Sequence, residues 1–482
     1  MKRTLLTLAA ALFLLPASAQ QVPEWLKEGI LYHIYPSSFK DSDGDGIGDL
    51  EGIRSKLPYV KSLGANTIWL SPVFRSEFED GGYDITDYYK EDPRFGTNTQ
   101  LVELIRDAHA KGIRICLDLV AGHTSDKHPW FRQSRSADTN LQYSDYYIWS
   151  DSKSSLPTKK FVKSDAPRNG NFLKNYFEVQ PALNYGYAHP DPDEPWQQGY
   201  DDPGPRAVRQ EIRNIMAFWM DKGVDGFRCD MACEVPIDFW QQTLPALRKE
   251  YPGIYLLAEG EAPALHDGAF DASYAWELHH LLNDIAQGRK SAADLRAYVA
   301  RDAAAMPREA FRLMFTSNHD ENSWAGTEFE RMGDAARVMA FLTFTLPNGQ
   351  PLVYTGQEMG FDHRFEFFEK DPVPAWEHNG FTDFYTALIR LRHENPALAA
   401  GERGGQAAYP LGERTPDGLM LFSRTAGGNE VTVAANLSAE EVAFDLPFEG
   451  SRREFFTGKE YTGGTRTVLP AWQWLVFAQD RR

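Results

Sequence analysis

The sequence predicts an α/β protein built on a (β/α)8 TIM barrel, with a small domain inserted after the third strand and an antiparallel β-sandwich at the C-terminus. Short apolar runs alternate with helical patterns, as in a barrel of parallel strands. A stretch rich in Tyr, Asp, Asn, Pro and Lys interrupts this alternation between 120 and about 205. After Pro396 the helical patterns stop and strand patterns follow at regular spacing.

These changes along the chain divide it into five predicted segments. They are a signal peptide at 1–19, a first part of the barrel at 20–123, an inserted domain at 124–205, a second part of the barrel at 206–400, and a C-terminal β-sandwich at 401–482.

Eight apolar runs supply the barrel strands. Most are continuous rather than alternating, which is typical of strands that are buried on both faces. The runs are GILYHIYP (29–36), ANTIWLSP (65–72), GIRICLDLV (112–120), GVDGFRCD (223–230), GIYLLAEG (253–260), AFDASYAW (269–276), FRLMFTSNHD (311–320) and QPLVYTGQE (350–358). Four later segments, GLMLFSR, EVTVAANLS, EVAFDLP and WQWLVFAQ, predict the strands of the sandwich.

The N-terminus has the three parts of a secretory signal peptide. A basic start, MKRT, precedes the apolar run LLTLAAALFLLPA and the small residues A-S-A, so we expect cleavage after Ala19 and export to the periplasm or the medium. The apolar run is too short to cross a bilayer and no other run is long enough, so we expect no membrane span.

The charge of the chain argues against a nucleic-acid partner. Asp and Glu number 68 against 50 Lys and Arg, which gives a formal net charge of −18 that phosphates would repel. The three cysteines cannot all pair within one chain, and Cys116 and Cys229 lie in apolar runs where we expect buried thiols.

Polar residues stand where the predicted strands end. Because the C-terminal ends of the strands share one rim of a barrel, these side chains are expected to converge. They are Asp118, His123, Arg228, Asp230, Glu259, His319 and Asp320. Paired carboxylates suit glycoside hydrolysis, in which one attacks the anomeric carbon and the other protonates the leaving oxygen.

Two of these residues have neighbours that favour such roles. Arg228 lies two residues before Asp230, on the same face of the strand, and can keep that carboxylate ionised. Glu259 follows the apolar run YLLA, where partial burial would raise its pKa as an acid catalyst requires.

Four motifs in order resemble those of the α-amylase family, glycoside hydrolase family 13. They are DLVAGH (118–123), GFRCD (226–230), AEG (258–260) and SNHD (317–320), and each stands at the end of a predicted strand. The resemblance covers the chain from about 25 to 480. It implies hydrolysis of α-glucosidic bonds with retention of configuration, with the two carboxyl groups roughly 5–5.5 Å apart.

The resemblance also implies a role for each matching residue. Asp230 is the expected nucleophile, Glu259 the general acid and base, and Asp320 the transition-state stabiliser. The expected substrate-binding residues are Tyr83 and Asp84 from GGYDITDYY, His123, Arg228 and His319. Glu261 is a nearby competitor for the acid role.

The segment DSDGDGIGDLEG (41–52) resembles the start of an EF-hand loop, without the Glu at its twelfth position. The same loop occurs in the oligo-1,6-glucosidase branch of the family, where it binds Ca²⁺. We therefore expect a structural Ca²⁺ ion, with a solvated acidic turn as the alternative. The expected ligands are Asp41, Asp43, Asp45, Ile47 through its carbonyl, and Asp49. A second calcium site typical of α-amylases is not expected, because Gly122 stands in place of the usual Asn.

The motifs are closest to those of the oligo-1,6-glucosidase and α-glucosidase-like branches. QPALN (180–184) resembles QPDLN of members that act on α-1,6 bonds or from chain ends, although Ala182 replaces the Asp. We therefore favour an α-glucosidase of malto- or isomalto-oligosaccharides over an endo-amylase. The alternatives are a transglycosylase or trehalose synthase-like isomerase, and a non-catalytic carbohydrate-binding protein. The sequence leaves the bond preference and the oligomeric state open.

Overall fold

Eight parallel strands form a closed barrel in the computed structural model, which describes residues 23–26 and 28–480. Each strand pairs with its neighbours in the chain, and the last pairs with the first. The strands are β1 (Leu31–Ile34), β2 (Thr67–Leu70), β3 (Arg114–Val120), β4 (Gly226–Asp230), β5 (Tyr255–Ala258), β6 (Ala272–Tyr274), β7 (Phe311–Met314) and β8 (Gly349–Tyr354). All eight predicted strands and the barrel fold are confirmed. The predicted signal peptide lies outside the described residues.

The register of β3 and β4 places their polar residues side by side. Asp118 is opposite Arg228, and Val120 is opposite Asp230 at the end of β4. Because the strands are parallel, their C-terminal ends form one rim and the polar ends of the apolar runs meet there.

Helices surround the barrel and turn apolar faces to it. The helix from Leu50 to Leu63 buries Leu50, Ile53, Leu57 and Val60, the spacing of one helical face. The longer helices are Leu50–Leu63, Asn98–His109, Pro203–Met220, Ile237–Glu250, Trp276–Ala286, Ala292–Ala305, Ala336–Thr345 and Gly380–Glu394. Short helices cover Pro36–Phe39, Pro129–Ser134 and Glu328–Met332.

Little regular structure occupies the chain between β3 and the helix that begins at Pro203. It holds the short helix Pro129–Ser134 and one small antiparallel pair, Phe161–Val162 with Phe172–Leu173. A bridge between His123 and Ala182 ties this segment to the end of β3. It therefore lies beside the rim, as an insertion after the third strand requires. A second antiparallel pair near the rim, Phe74–Ser76 with Ile85–Glu91, follows β2.

Antiparallel sheets form the C-terminal part of the chain, as predicted. The strands are β9 (Leu419–Ala426), β10 (Asn429–Asn436), β11 (Val442–Asp445), β12 (Ser451–Arg453), β13 (Glu460–Thr462), β14 (Arg466–Leu469) and β15 (Trp474–Asp480). β9, β10 and β15 make one sheet, while β11 pairs with β14 and β12 with β13. Trp474 stacks on Phe341, a residue of a barrel helix, with ring centroids 5.2 Å apart.

Two further expectations concern burial and membranes. Cys116 and Cys229 are buried, as predicted, and Cys233 is exposed. Across the described part of the chain, every helix is too short or too polar to reach from one side of a bilayer to the other.

Candidate active site

A cavity of about 1070 Å³ opens at the C-terminal rim of the barrel. Seven of the eight residues predicted for catalysis or substrate binding line it. They are Tyr83, His123, Arg228, Asp230, Glu259, His319 and Asp320. The fold therefore brings together residues that are far apart in sequence. They come from β4, from the ends of β3, β5 and β7, and from the turn between the two short strands that follow β2.

The Arg228 guanidinium, which is 1% exposed, joins three carboxylates below the cavity. Its Nη1 lies 2.9 Å from Asp118 Oδ1 and 2.9 Å from Asp230 Oδ1, and its Nη2 lies 2.6 Å from Glu259 Oε2. Burial disfavours its charge, but Asp118 and Glu259 outweigh this effect and raise the pKa of Arg228 well above its usual value. The arginine thus stays charged and fixes all three carboxylates.

Asp118 is a fixed anchor for this arginine. Its Oδ2 accepts hydrogen bonds from Trp69 Nε1 at 3.2 Å and from the Tyr83 hydroxyl at 3.1 Å. Burial raises the pKa of Asp118 to about 7, although the charge of Arg228 opposes the shift. The sequence marked Asp118 as a strand-end residue, and its contacts now show that it holds both Arg228 and Tyr83 in place.

Asp230 and Glu259 lie next to each other and share the arginine. Burial raises the pKa of both, against the charge of Arg228, and the pKa of Glu259 reaches about 7. The negative charges of Asp230 and Asp320 raise the pKa of Glu259 further. A carboxyl group that is half protonated near neutral pH can both give and take a proton.

The backbone directly after Asp230 is strained. Met231 has a φ of 42° and ψ of 46°, a left-handed conformation that is uncommon for a side chain of this size. This conformation accompanies a hydrogen bond of 2.7 Å from the Met231 N–H to Glu259 Oε2. Strain of this kind is typical of functional sites, where the surrounding structure holds a group in place.

Asp320 and His319 lie across the cavity, after β7. Burial raises the pKa of Asp320 to about 6. Burial and the charge of Arg228 lower the pKa of His319 to about 3, so its ring is neutral. Nε2 of His319 lies 2.7 Å from the Tyr83 hydroxyl and 3.7 Å from Asp320 Oδ2. A single turn of π-helix follows at Glu321–Ala325, a feature that is frequent at functional sites.

Asp84 is placed differently from the other predicted substrate-binding residues. It is fully buried, and its carboxylate accepts hydrogen bonds from Ser76 Oγ at 2.6 Å and from the N–H of Asp80 at 3.0 Å. It is absent from the described residues that line the cavity. Its contacts stabilise the turn that carries Asp80 and Tyr83.

The sequence reasoning missed several residues of the cavity wall. Asp80 lines the cavity, and burial raises its pKa to about 7. Gln180, the first residue of QPALN, donates a hydrogen bond to it. Four exposed aromatic residues stand at the mouth, and no strand end marks them in the sequence. They are Tyr176, Phe177, Trp324 and Phe368.

Glu261, the competitor for the acid role, lies outside this group. Its Oε1 accepts hydrogen bonds from the Glu277 N–H and from Arg312 Nη2, each at 3.1 Å. It is missing from the described lining of the cavity. The geometry therefore favours Glu259 as the proton donor.

The acidic loop lies apart from this cavity. One carboxylate oxygen from each of Asp41, Asp43 and Asp49 lies within 4.8 Å of the others. Asp45 is outside that group, and its Oδ1 accepts the Ile47 N–H at 2.7 Å. Hydrogen bonds from the N–H groups of Gly44 and Gly46 lower the pKa of Asp41. An all-oxygen donor set of three carboxylates suits a hard cation such as Ca²⁺.

Comparison with known proteins identifies the family. A sequence profile described as "Alpha amylase, catalytic domain" matches residues 33–386. The chain belongs to the α-amylase family. The closed barrel is the fold of that family, and the protein is a glycoside hydrolase of the α-amylase family.

Relatives of this α-amylase-family protein include enzymes of two kinds. The oligo-1,6-glucosidase of Heyndrickxia coagulans is 38% identical, with 95% of this chain and 100% of the relative covered. Alpha-amylase 3 of Dictyoglomus thermophilum is 32% identical over 80% of this chain and 75% of the relative. A solved structure of the alpha-glucosyl transfer enzyme XgtA is similar, with a TM-score of 0.75, 26% identity, and coverage of 95% of this chain and 100% of that chain.

Proposed function

We propose that this hydrolase is an exported α-glucosidase that cleaves malto- or isomalto-oligosaccharides by double displacement, with retention of configuration. The observation that carries the proposal is the arrangement of Asp230 and Glu259 on one buried guanidinium, that of Arg228, facing Asp320 across the cavity. The oligo-1,6-glucosidase relatives support the substrate class. Export rests on the N-terminal 19 residues of the sequence.

In the first step Asp230 attacks the anomeric carbon of the glucosyl unit. The bond from that carbon to the glycosidic oxygen breaks, and Glu259 gives its proton to the departing oxygen. A covalent glucosyl–Asp230 ester forms, and Glu259 is left as a carboxylate. The raised pKa of Glu259, about 7, supplies the proton at neutral pH.

In the second step the Glu259 carboxylate removes a proton from water. The water oxygen bonds to the anomeric carbon, the ester breaks, and Asp230 leaves as a carboxylate. Asp320 stabilises the positive charge that develops on the sugar ring in both steps. Two inversions at one carbon restore the α configuration.

The remaining groups of the cavity orient the sugar. His319 and His123 have pKa values lowered to about 3 and about 4, in both cases chiefly by burial, so both rings are neutral hydrogen-bonding groups at working pH. Tyr83 stacks against His319 with ring centroids 5.5 Å apart, and it lines the cavity. Neutral rings can line the sugar site without pairing with the carboxylates that react.

The first test is the product pattern from panose, which contains one α-1,6 and one α-1,4 bond. Glucose plus maltose would show α-1,6 cleavage, and glucose plus isomaltose would show α-1,4 cleavage. The Asp230→Asn variant is the matched control, because it keeps the shape of the side chain and removes the nucleophile. No products from panose or longer maltodextrins, together with measurable binding, would favour the non-catalytic alternative.

The second test follows the anomer by NMR during the first minutes of hydrolysis. Retention predicts that α-glucose appears first and then equilibrates to the β form. A first-formed β-glucose would contradict the double displacement, even if the bond preference were as proposed.

Sugar transfer is a second candidate function, and the mouth of the cavity favours it. Tyr176 and Trp324 are 62% and 61% exposed, and such aromatic faces can hold an acceptor sugar in place of water. The similar XgtA structure is described as an alpha-glucosyl transfer enzyme. Incubation with concentrated maltose distinguishes the two functions, since transfer yields trehalose or longer oligosaccharides and hydrolysis yields glucose alone.

We also propose that the acidic loop holds a structural Ca²⁺ ion. Asp41, Asp43 and Asp49 would hold it through carboxylate oxygens, and Asp45 and the Ile47 carbonyl are further candidates from the sequence. The ion would neutralise the loop that leads into the helix Leu50–Leu63, whose first turn Asp49 caps through a 2.7 Å hydrogen bond from the Gly52 N–H.

A further inference from the structure

The loop from Asn175 to Gln180 reaches from the inserted segment to the rim of the barrel. Its base is closed by a hydrogen bond of 2.9 Å from the Asn175 N–H to the Gln180 carbonyl. Its tip carries Tyr176 and Phe177 to the mouth of the cavity. The side chains at the base contact the wall of the cavity: Gln180 contacts Asp80, and Asn175 Nδ2 lies 3.0 Å from His123 Nδ1.

Both ring nitrogens of His123 have partners. Nε2 lies 3.1 Å from the backbone carbonyl oxygen of Tyr83, which can only accept a hydrogen bond, so Nε2 carries the proton. Nδ1 then has a free lone pair, which the Asn175 amide N–H satisfies. This arrangement selects one neutral tautomer of the ring.

We propose that Asn175 is a positioning residue that fixes the tautomer of His123 and keeps the ring uncharged beside the reacting carboxylates. A proton on Nδ1 would place an N–H against the amide N–H of Asn175. The proposal rests on the proposed function, because it assigns Asn175 a part in the substrate pocket of that same enzyme.

Several groups around His123 act on its charge. Burial lowers its pKa, while the hydrogen bond to the Tyr83 carbonyl and the negative charge of Asp84, beside the strand pair after β2, favour a protonated ring. From the same strand pair, the Tyr88 hydroxyl donates to the His123 backbone carbonyl at 2.8 Å. Arg228 and Asp230 share the cavity with it. Asn175 opposes the charged ring, because its amide N–H faces Nδ1, which the charged ring would have to protonate.

Gly122 leaves room for the amide of Asn175. A β-carbon at position 122 would lie 2.7 Å from Asn175 Nδ2, and its next neighbours would be no closer than 3.6 Å. The absence of a side chain at 122 and the amide of Asn175 are therefore complementary. A Gly122→Ala substitution should displace the amide and little else.

The first experiment observes the tautomer directly. Wild-type protein labelled with ¹⁵N-histidine is studied by NMR between pH 5 and 8, and the His123 signals are assigned by their loss in His123→Gln. We expect a protonated Nε2 and an unprotonated Nδ1 throughout. A protonated Nδ1 would overturn the proposal, whether or not the protein cleaves any α-glucoside.

The second experiment measures kcat/KM against pH for Asn175→Ala and Asn175→Asp. Loss of the amide should reduce kcat/KM by roughly 5- to 100-fold, the range for an unsatisfied buried group. The acid limb should move to higher pH in the Ala variant and further in the Asp variant, since a carboxylate stabilises the imidazolium. Asn140→Asp, in an exposed loop of the same segment, should behave as wild type.

A merely structural role for Asn175 would lower activity equally at all pH values, and that result would refute the proposal. The Gly122→Ala variant should reproduce the shift of the Ala variant, and the double variant should cost no more than either alone. Additive losses of kcat/KM in the double variant would show that the two positions act independently, and this result would also contradict the proposal. Absence of α-glucoside cleavage by the wild type would refute the proposed function, while the NMR result would still test Asn175.

Discussion

Two groups of carboxylates in this protein lie in opposite electrostatic environments. At the barrel rim, the buried Asp118 and Asp230 and the partly buried Glu259 surround one guanidinium, and desolvation raises the pKa of each. In the acidic loop, Asp41 is partly exposed to solvent, and backbone N–H groups lower its pKa.

The difference shows that the environment, rather than the residue type, decides what a cluster of Asp and Glu can do. Buried carboxylates with raised pKa values can exchange protons near neutral pH, as acid and base catalysis requires. Carboxylates that stay ionised in water offer permanent negative charge, which suits a cation.

The largest effect is expected from the rim carboxylates themselves. Asp230→Asn should lower kcat by about 10⁴-fold or more on every substrate, because no ester can form. Glu259→Gln should lose about 10²- to 10⁴-fold on oligosaccharides and much less on 4-nitrophenyl α-glucoside, whose leaving group needs no proton. Steady-state kinetics on both substrates measure this, and equal losses for Glu259→Gln on the two would contradict its role as the acid.

Removal of the central arginine should be the most destabilising change. Arg228→Met leaves the buried Asp118 and Asp230 and the partly buried Glu259 without their partner and should lower the free energy of unfolding by about 3–5 kcal/mol at pH 7. The control is Arg54→Met, because Arg54 pairs with Glu51, Glu103 and Asp107 near the surface, where solvent screens the charges and the loss of stability should be small. Urea denaturation measures the free energy of unfolding of both variants. Equal losses would contradict the prediction that the buried arginine contributes more to stability than the surface arginine.

The pH dependence of stability should have opposite signs in the two regions. The pKa of Glu259 is raised from its usual 4.5 to about 7, so the folded state binds more protons and its stability falls as the pH rises through this window. Glu259→Gln should therefore gain stability relative to wild type as the pH rises from 4.5 to 7.

The pKa of Asp41 is lowered, so its contribution is present above its usual value of 3.8 and disappears as the pH falls through its folded value. Asp41→Asn should accordingly lose stability relative to wild type above about pH 4, and the difference should vanish in stronger acid. Thermal unfolding of both variants and the wild type between pH 3 and 8 tests both signs. If both variants changed in stability relative to wild type in the same direction with pH, the predicted opposite signs would be wrong.

Calcium should give the smallest effect. At a concentration of 100 times Kd, a bound ion adds about 2.7 kcal/mol to the stability, which would raise Tm by a few degrees. Asp43→Asn should reduce this gain, while Asp193→Asn, at an exposed position outside the loop, should keep it. A chelator titration followed by calorimetry provides the measurement, and an unchanged Tm in wild type would leave the loop as a solvated turn.

The sequence was sufficient to predict the barrel and the charged centre of the cavity. Continuous apolar runs marked all eight strands, and the polar residue that ended a run, such as Asp230 or Asp320, marked the rim. The register that sets Asp118 opposite Arg228 could not be read from either run alone, since it arises only when the strands pair.

Residues outside the strands were harder to predict. Asp84 was expected to contact substrate, and the structure places it beneath a turn, while Asp80 lines the cavity. Both lie in one short acidic segment, and the direction of each side chain depends on the turn rather than on composition. Asn175 carried no signal either, because its partner, His123, is 52 positions away and meets it only through the tertiary fold.

The seam between β1 and β8 has a consequence for how the chain is made. Leu31 pairs with Leu352, roughly 320 residues later, so β1 keeps one unpaired edge until almost the whole barrel has been synthesised. At 5–20 residues per second this delay lasts on the order of tens of seconds. The exposed edge of β1 is covered only when β8 pairs with it and closes the barrel.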